Sequence, residues 1–286
     1  MDAWKQPTNH LTLSHLWLKK MMMENEAKGR KEQAFDTPFR YSDAGSCTRK
    51  LGYTNLGYEG EPFDAPATLV TWVGTTIHEK VQAAAIEAYM DAFTEEGKSQ
   101  IEGLTSGHYD GILTTRFVGS SAEHRTLYEL KTMGGTAFKK SIGFSNKGLG
   151  TPVGPRRSAV IQAALNALAN DCDDILIGHI SLEAISKQAA ARMGLSEMER
   201  IIAEWRIPKE VWEPIAYEEM GRLQEALDDL HIDVLPDRHA VDDDGKVVTL
   251  DPDNSRWWQC SYCPYRDQCV QDGPGRPSIK ESINAE

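Results

Sequence analysis

Apolar residues recur at helical spacing from Val70 to Ala88 (Val70, Val73, Ile77, Val81, Ala84, Ile86, Ala88), and this predicts a long helix over 68–93. A helical pattern also runs over 10–30, carried by Leu11, Leu16, Leu18, Met21 and Met22. Residues 42–57 read as a further helix, with Ser42 or Asp43 as N-cap and Gly57 as stop. The pattern then changes period. The stretches Ser106–Ile112 and Leu127–Thr132 are β-favouring and bounded by glycine or polar residues, so each reads as a short strand. Residues 134–142 follow as a short helix, 156–170 as a helix with an Ala/Leu/Ile face, and 174–182 and 200–207 as strands. Pro208 opens a last helix reaching about residue 230. Strands lying between helices predict an α/β fold, a mixed β-sheet flanked by helices.

The alternation of side chains on a strand gives the second of these strands its interest. In Glu129-Leu130-Lys131 the two charged side chains share a face and Leu130 points the other way. If Asp110 of the preceding strand lies beside them, two carboxylates and an amine meet. Phosphodiester hydrolysis needs an activated water and neutralised phosphate charge, which a divalent cation supplies. Hard cations such as Mg²⁺ and Mn²⁺ take carboxylate oxygens, so Asp110 and Glu129 are candidate ligands, with the backbone carbonyl of Leu130 in addition. Lys131 is placed to orient or deprotonate the attacking water and to offset the growing charge. His78, in the N-terminal half of its helix, suits Mn²⁺ as a ligand. Gln162 is a polar residue among apolar ones on the helix over 156–170.

Charge sharpens the picture. The formal net charge is −12, which by itself disfavours a polyanionic partner. Yet between Lys131 and Arg157 stand six basic residues and no Asp or Glu. Lys139, Lys140, Lys147, Arg156 and Arg157 therefore form a candidate phosphate-contacting strip that starts at the proposed site. The glycine- and proline-rich stretch 143–155 is no phosphate-binding P-loop, because no Gly-Lys-Ser/Thr follows it.

Three of the five cysteines stand close together, as Cys260-x-x-Cys263 and Cys269, a spacing that suits metal ligation. Cys47 and Cys172 compete for the fourth place. Acidic neighbours around Cys172 raise a thiol's pKa, whereas Arg49 and Lys50 beside Cys47 favour a thiolate, so Cys47 is preferred. A Cys₄ zinc site and an iron–sulfur cluster use the same four thiolates. Trp257, Trp258, Tyr262, Pro264 and Tyr265 would wrap the site in apolar groups, which favours a cluster. With no basic segment before the apolar residues 10–18 and no apolar run of membrane-spanning length, the expectation is a cytoplasmic protein without a membrane partner.

The order Gly-x-x-x-His-Glu (Gly74 to Glu79), Gly-x-x-Asp (Gly107 to Asp110), Glu129-x-Lys131 and helical Gln162 resembles the RecB-type nuclease domain of the PD-(D/E)XK superfamily. The resemblance spans roughly residues 40–270. It implies a restriction-endonuclease-like core in which His78, Asp110 and Glu129 hold the metal, Lys131 is catalytic, and Gln162 contacts DNA or the site's water. One departure is Asn166, where the family often has a tyrosine, which leaves open the DNA contact of that helix. One Cys before the core and three near its end resemble the iron–sulfur subgroup that includes AddB and the stand-alone nucleases of CRISPR adaptation. That subgroup implies a [4Fe-4S] cluster on Cys47, Cys260, Cys263 and Cys269. No helicase motif is present, which matches the stand-alone type. The expected organisation is a helical extension over 1–40, a nuclease domain with its iron–sulfur module over 41–270 and a polar tail over 271–286.

The implied activity is a Mg²⁺- or Mn²⁺-dependent exonuclease acting on DNA ends or single strands in recombination, repair or CRISPR-type processing. The implied partners are DNA and the proteins of those pathways. The Ala-rich and Met-rich helices are available to pack internally or against a second copy. The alternative is a DNA-binding or assembly protein that keeps the fold without turnover, and the filled metal and catalytic positions oppose it.

Overall fold

The computed structural model describes residues 17, 19–23, 37–62, 64–116, 122–145, 148–149, 153–254 and 257–279. Residues 17 and 19–23 are helical, and the rest of the helix expected over 10–30 lies outside the described residues. Strand β1 (Phe39–Arg40), helix α1 (Thr48–Asn55) and helix α2 (Ala65–Tyr89) lead into the meander β2 (Phe93–Ile101), β3 (Thr105–Arg116) and β4 (Glu123–Met133). Helix α3 (Gly135–Ser141), the short pair β5 (Phe144–Ser145) and β6 (Gly148–Leu149), and helix α4 (Arg157–Ala169) cross over to β7 (Asp174–Ser181). Helix α5 (Lys187–Met193) precedes β8 (Ile202–Pro208). Helix α6 (Lys209–His231), the hairpin β9 (His239–Val241) and β10 (Val247–Thr249), and the short helices α7 (Trp258–Ser261) and α8 (Arg266–Gln271) complete the order.

The main sheet runs β1-β3-β4-β7-β8, with β2 also on β3. It is mixed: β4 and β7 are parallel, while β2, β4 and β8 run antiparallel to their neighbours β3, β3 and β7. The α/β architecture expected from the pattern is present. Helix α4 explains how the layers close. It is apolar almost all round, and Ala159, Ile161, Ala163, Ala164, Leu165 and Ala167 are buried, as suits a helix packed on two sides. It contacts β4 and β7 on one side and α6 on the other.

Several elements depart from the sequence pattern. The helix expected over 42–57 is broken: Tyr41–Asp43 form a 3₁₀ turn, Gly45 takes a left-handed φ of 73°, and α1 starts only after Cys47. Helix α2 starts three residues before the expected Thr68, because the Asp64 side chain accepts from the Ala67 N–H at 2.9 Å and Pro66 suits the first turn. It also ends at Tyr89, and β2 begins at the Phe93 expected to close the helix. The segment 272–279, expected within a polar tail, packs back on the fold. The Leu235 N–H donates to the Pro277 carbonyl at 3.0 Å, and Ile279 is buried.

Candidate active site

The pairing of β3 leaves a gap, and the site sits in it. On one edge β3 pairs β4 from Gly111↔Tyr128 to Arg116↔Glu123, and β1 takes over at Thr105 and Ser106. Between these partners, Gly107–Asp110 have no registered neighbour on that edge. Gly107 is required there, because a Cβ would stand 2.9 Å from the Tyr41 ring. Asp110 fills the gap with its side chain: its Oδ2 accepts from the Leu130 N–H at 2.7 Å. A carboxylate thus replaces the carbonyl that a regular ladder would offer.

His78 and Gln82 of α2 fix the other side of Asp110. His78 Nδ1 lies 3.1 Å from Asp110 Oδ1, and Gln82 Nε2 donates to the Asp110 carbonyl at 3.0 Å. The spacing of four residues puts both on one helix face. Across the gap, Lys131 Nζ lies 2.6 Å from Glu129 Oε1 and donates to Gln162 Oε1 of α4 at 2.9 Å. The structure thereby brings His78, Asp110, Glu129, Lys131 and Gln162 into one connected cluster.

Its electrostatics are uneven. Glu129 is 1% exposed and its Oε2 has no hydrogen-bond partner among the described residues. Burial pushes its carboxyl up to about 7, against the opposing pull of Lys131 and with a further push from Asp110. For Lys131, burial acts to lower the ammonium pKa, but Glu129 and Asp110 outweigh it and the pKa is raised. Two carboxylates and an imidazole, with one carboxylate oxygen unpartnered among the described residues, are donor types that would suit a divalent cation. Among the described residues no three His, Cys, Asp or Glu groups already stand close enough to enclose an ion. Glu129 is turned instead to Lys131.

The basic strip divides. Arg156 caps the N-terminus of α4 and lies close enough to Lys131 and to His179 of β7 to act on both electrostatically. Lys139 stands 5.9 Å from the Phe144 ring. Lys140 pairs with Asp243 of the β9–β10 turn at 2.8 Å, and Arg157 packs against Gly245 of that turn. Lys147 lies outside the described residues. Asn166, the departure noted on α4, is fully buried: its Oδ1 accepts from Ser99 at 3.2 Å and its Nδ2 donates to the His108 carbonyl at 3.3 Å. It ties α4 to β2 and β3 and has no surface to offer a ligand.

Cys47, Cys260, Cys263 and Cys269 line one cavity of about 480 Å³, while Cys172 is buried elsewhere beside Arg125 and Asp173. Burial raises the thiol pKa of Cys47, Cys260 and Cys263, and the other cysteines of the set add to the rise; Cys260 reaches about 11. The four thiols share this cavity with Arg49, Lys50, Arg238 and Arg266, but no three of them stand close enough to enclose an ion. The aromatic wrap is partial: Trp257 lines the cavity, whereas Trp258 and Tyr262 line it and remain mostly exposed.

Sequence reasoning missed two groups here. Gln82 carried no signal beyond its helical spacing from His78. His179 did carry one, a lone imidazole in the apolar strand Asp174–Ser181.

No family model and no curated protein matches the chain. Among solved structures it is similar to SSO0001, at 15% identity and a TM-score of 0.47, over 91% of this chain and 96% of the other. It is similar to an alkaline exonuclease, LHK-Exo, from Laribacter hongkongensis, at 15% identity and a TM-score of 0.38, over 65% and 81% of the two chains. A phage-related exonuclease from Haemophilus somnus 129PT matches at 14% identity and a TM-score of 0.38, over 65% and 81%.

Proposed function

We propose that this protein is a metal-dependent deoxyribonuclease of the RecB-type PD-(D/E)XK kind, an exonuclease acting on DNA ends or single strands. The observation that carries this reading is the cluster in the β3–β4 gap, where His78 bonds to Asp110 and the buried Glu129, with one carboxylate oxygen unpartnered among the described residues, bonds to Lys131. Mg²⁺ or Mn²⁺ held by Asp110, Glu129, His78 and the Leu130 carbonyl would supply an activated water and a Lewis acid. The chain supplies the rest. Lys131 has three N–H donors, of which Glu129 and Gln162 take two, so one remains for a phosphate oxygen. Gln162 aims that ammonium. Arg156, at the N-terminus of α4, adds positive charge where the DNA backbone would pass. Lys139, Lys147 and Arg157 are weaker candidates for the same role, and Lys140 becomes available only if Asp243 releases it.

The four cysteines lining one cavity support a [4Fe-4S] cluster on Cys47, Cys260, Cys263 and Cys269, with Zn²⁺ as the rival occupant. The visible absorbance of the purified protein, with iron and zinc analysis, separates the two.

The activity test is digestion of DNA labelled at 5′ or 3′ ends, single- and double-stranded, under Mn²⁺ and under chelator. Lys131→Ala is expected to abolish cleavage, by at least about a hundredfold, the order seen when a charge-stabilising group is lost. Its circular dichroism spectrum and its DNA binding under Ca²⁺ should show a folded protein that still binds. Cleavage by this variant at the wild-type rate overturns the assignment.

A further inference from the structure

We propose that His179 is a positioning residue for Lys131: its imidazole accepts a hydrogen bond from the Lys131 ammonium when the Glu129 carboxylate leaves that ammonium for a cation. The inference rests on the nuclease reading of Asp110, Glu129 and Lys131.

The placement comes from sheet register. Lys131 of β4 pairs with His179 of β7, so the two side chains stand on adjacent strands and share a face of the sheet. Asp110 borders β4 on the opposite side. The order across the sheet is therefore Asp110, then Glu129 and Lys131, then His179. Lys131 and Arg156 are both near enough to act electrostatically on the imidazole.

The bonding state of His179 is the informative observation. The residue is fully buried, and neither ring nitrogen has a hydrogen-bond partner among the described residues. The ring stands edge-on to Trp205, with centroids 4.8 Å apart. A neutral imidazole has one N–H to give and one lone pair to receive with. Leaving both idle in the interior is costly, and folds rarely tolerate it without a reason. A phenylalanine would keep the contact with Trp205 and remove the cost. With neither nitrogen bonded among the described residues, the ring keeps a lone pair able to accept.

Lys131 provides the demand. Its two fixed partners are Glu129 and Gln162. Glu129 is turned to Lys131 rather than grouped with Asp110 and His78, so reaching a cation shared with them would weaken its hold on the ammonium. When Glu129 turns to a cation, Lys131 loses a charged partner and keeps only Gln162. A second acceptor on the opposite strand then holds the ammonium in place. His179 is the idle acceptor on that strand.

The test uses the full chain and Mg²⁺ or Mn²⁺ as the probe. In the wild type, adding Mg²⁺ should shift one ring-nitrogen resonance of His179, assigned by its absence in His179→Phe. His179→Phe should bind Mn²⁺ about tenfold more weakly, the size expected for one hydrogen bond to a charged group. Its kcat should fall with KM for DNA unchanged, while its metal-free melting temperature equals or exceeds that of the wild type. His179→Asn, which restores an acceptor, should recover part of the Mn²⁺ affinity and of kcat. Wild-type Mn²⁺ affinity in His179→Phe, or a His179 resonance that ignores Mg²⁺, overturns the proposal. If the wild type binds Mn²⁺ and cuts no DNA, the nuclease reading fails and the affinity comparison still decides the role of His179. If the wild type binds no Mn²⁺, both fall.

Discussion

Two buried ionisable groups on neighbouring strands tilt the pH dependence of this fold in opposite directions. The Glu129 carboxyl is raised from 4.5 to about 7, so between those values the folded chain holds a proton that the unfolded chain has lost. Stability from this group is present below pH 4.5 and is lost as pH rises towards 7. The His179 imidazole is lowered from 6.5 to about 4, so it resists a proton that the unfolded chain accepts. Its contribution is present above pH 6.5 and is lost as pH falls towards 4. Metal-free Glu129→Gln should therefore gain stability relative to the wild type as pH rises from 4.5 to 7. His179→Phe should gain relative to the wild type as pH falls from 6.5 to 4. Melting temperatures across pH 4–8 check both, and parallel curves for all three proteins contradict the sign argument. At this scale the sequence was readable where strand alternation groups polar residues, as in Glu129-x-Lys131. For His179 the sequence showed only a lone imidazole in an apolar strand, and its meaning depends on the register of that strand against one more than forty residues earlier.

Helix α6 acts at the scale of elements. Its Glu219 and Arg222 are both buried and paired at 2.6 Å. Together they hold the loop that precedes α1: the Gly45 N–H donates to Glu219 at 2.8 Å, and Arg222 donates to the Ser46 carbonyl at 2.9 Å. This loop is where the expected helix over 42–57 breaks and where Cys47 takes its place as N-cap of α1. Removing one partner strands a buried charge. Glu219→Ala should cost about 3 kcal/mol in urea unfolding, within the range for a broken buried pair, whereas a swap at exposed Glu225 should cost almost nothing. The long helices and the buried strands were legible because one period dominates each of them. Strand β2 was not, since Thr94, Glu95, Glu96 and Lys98 give it no apolar alternation and only its pairing with β3 defines it. The β9–β10 hairpin hid inside an acidic stretch; its Asp-Gly turn, with Gly245 at a φ of 82°, was the available signal.

At the scale of the whole molecule, hydrogen bonds tie the region of α1 to the C-terminal segments. Arg49 of α1 is fully buried, and its guanidinium donates to the Pro236 carbonyl at 2.6 Å, to the Gly273 carbonyl at 3.3 Å and to the Gly275 carbonyl. Arg238 donates to the Cys269 and Gly273 carbonyls at 2.6 Å each, and the Tyr53 hydroxyl donates to Asp272 at 2.6 Å. These bonds join α1 to residues 236–275 without any metal. Cys260→Ala should thus yield a colourless, less soluble protein whose segment 272–279 still resists limited proteolysis. Arg49→Ala should release that segment to protease. If Cys260→Ala is instead brown and fully soluble, the cluster assignment is wrong. Chain spacing grouped Cys260, Cys263 and Cys269, but the thiolate argument for Cys47 does not hold, because burial raises its thiol pKa. The arginine ties were not legible, because their acceptors are backbone carbonyls, which leave no mark on a sequence.

The same arginine sets an order of events during biosynthesis. Its acceptors at Gly273 and Gly275 emerge more than two hundred residues after it. At ribosomal speeds of about 5–20 residues per second, that is a wait of roughly 10–45 s. Until then only the Pro236 carbonyl, of the three acceptors, can reach the guanidinium. The meander and the α4 crossover can assemble while translation proceeds, but the layer that carries Cys47 completes only once the distant carbonyls have arrived.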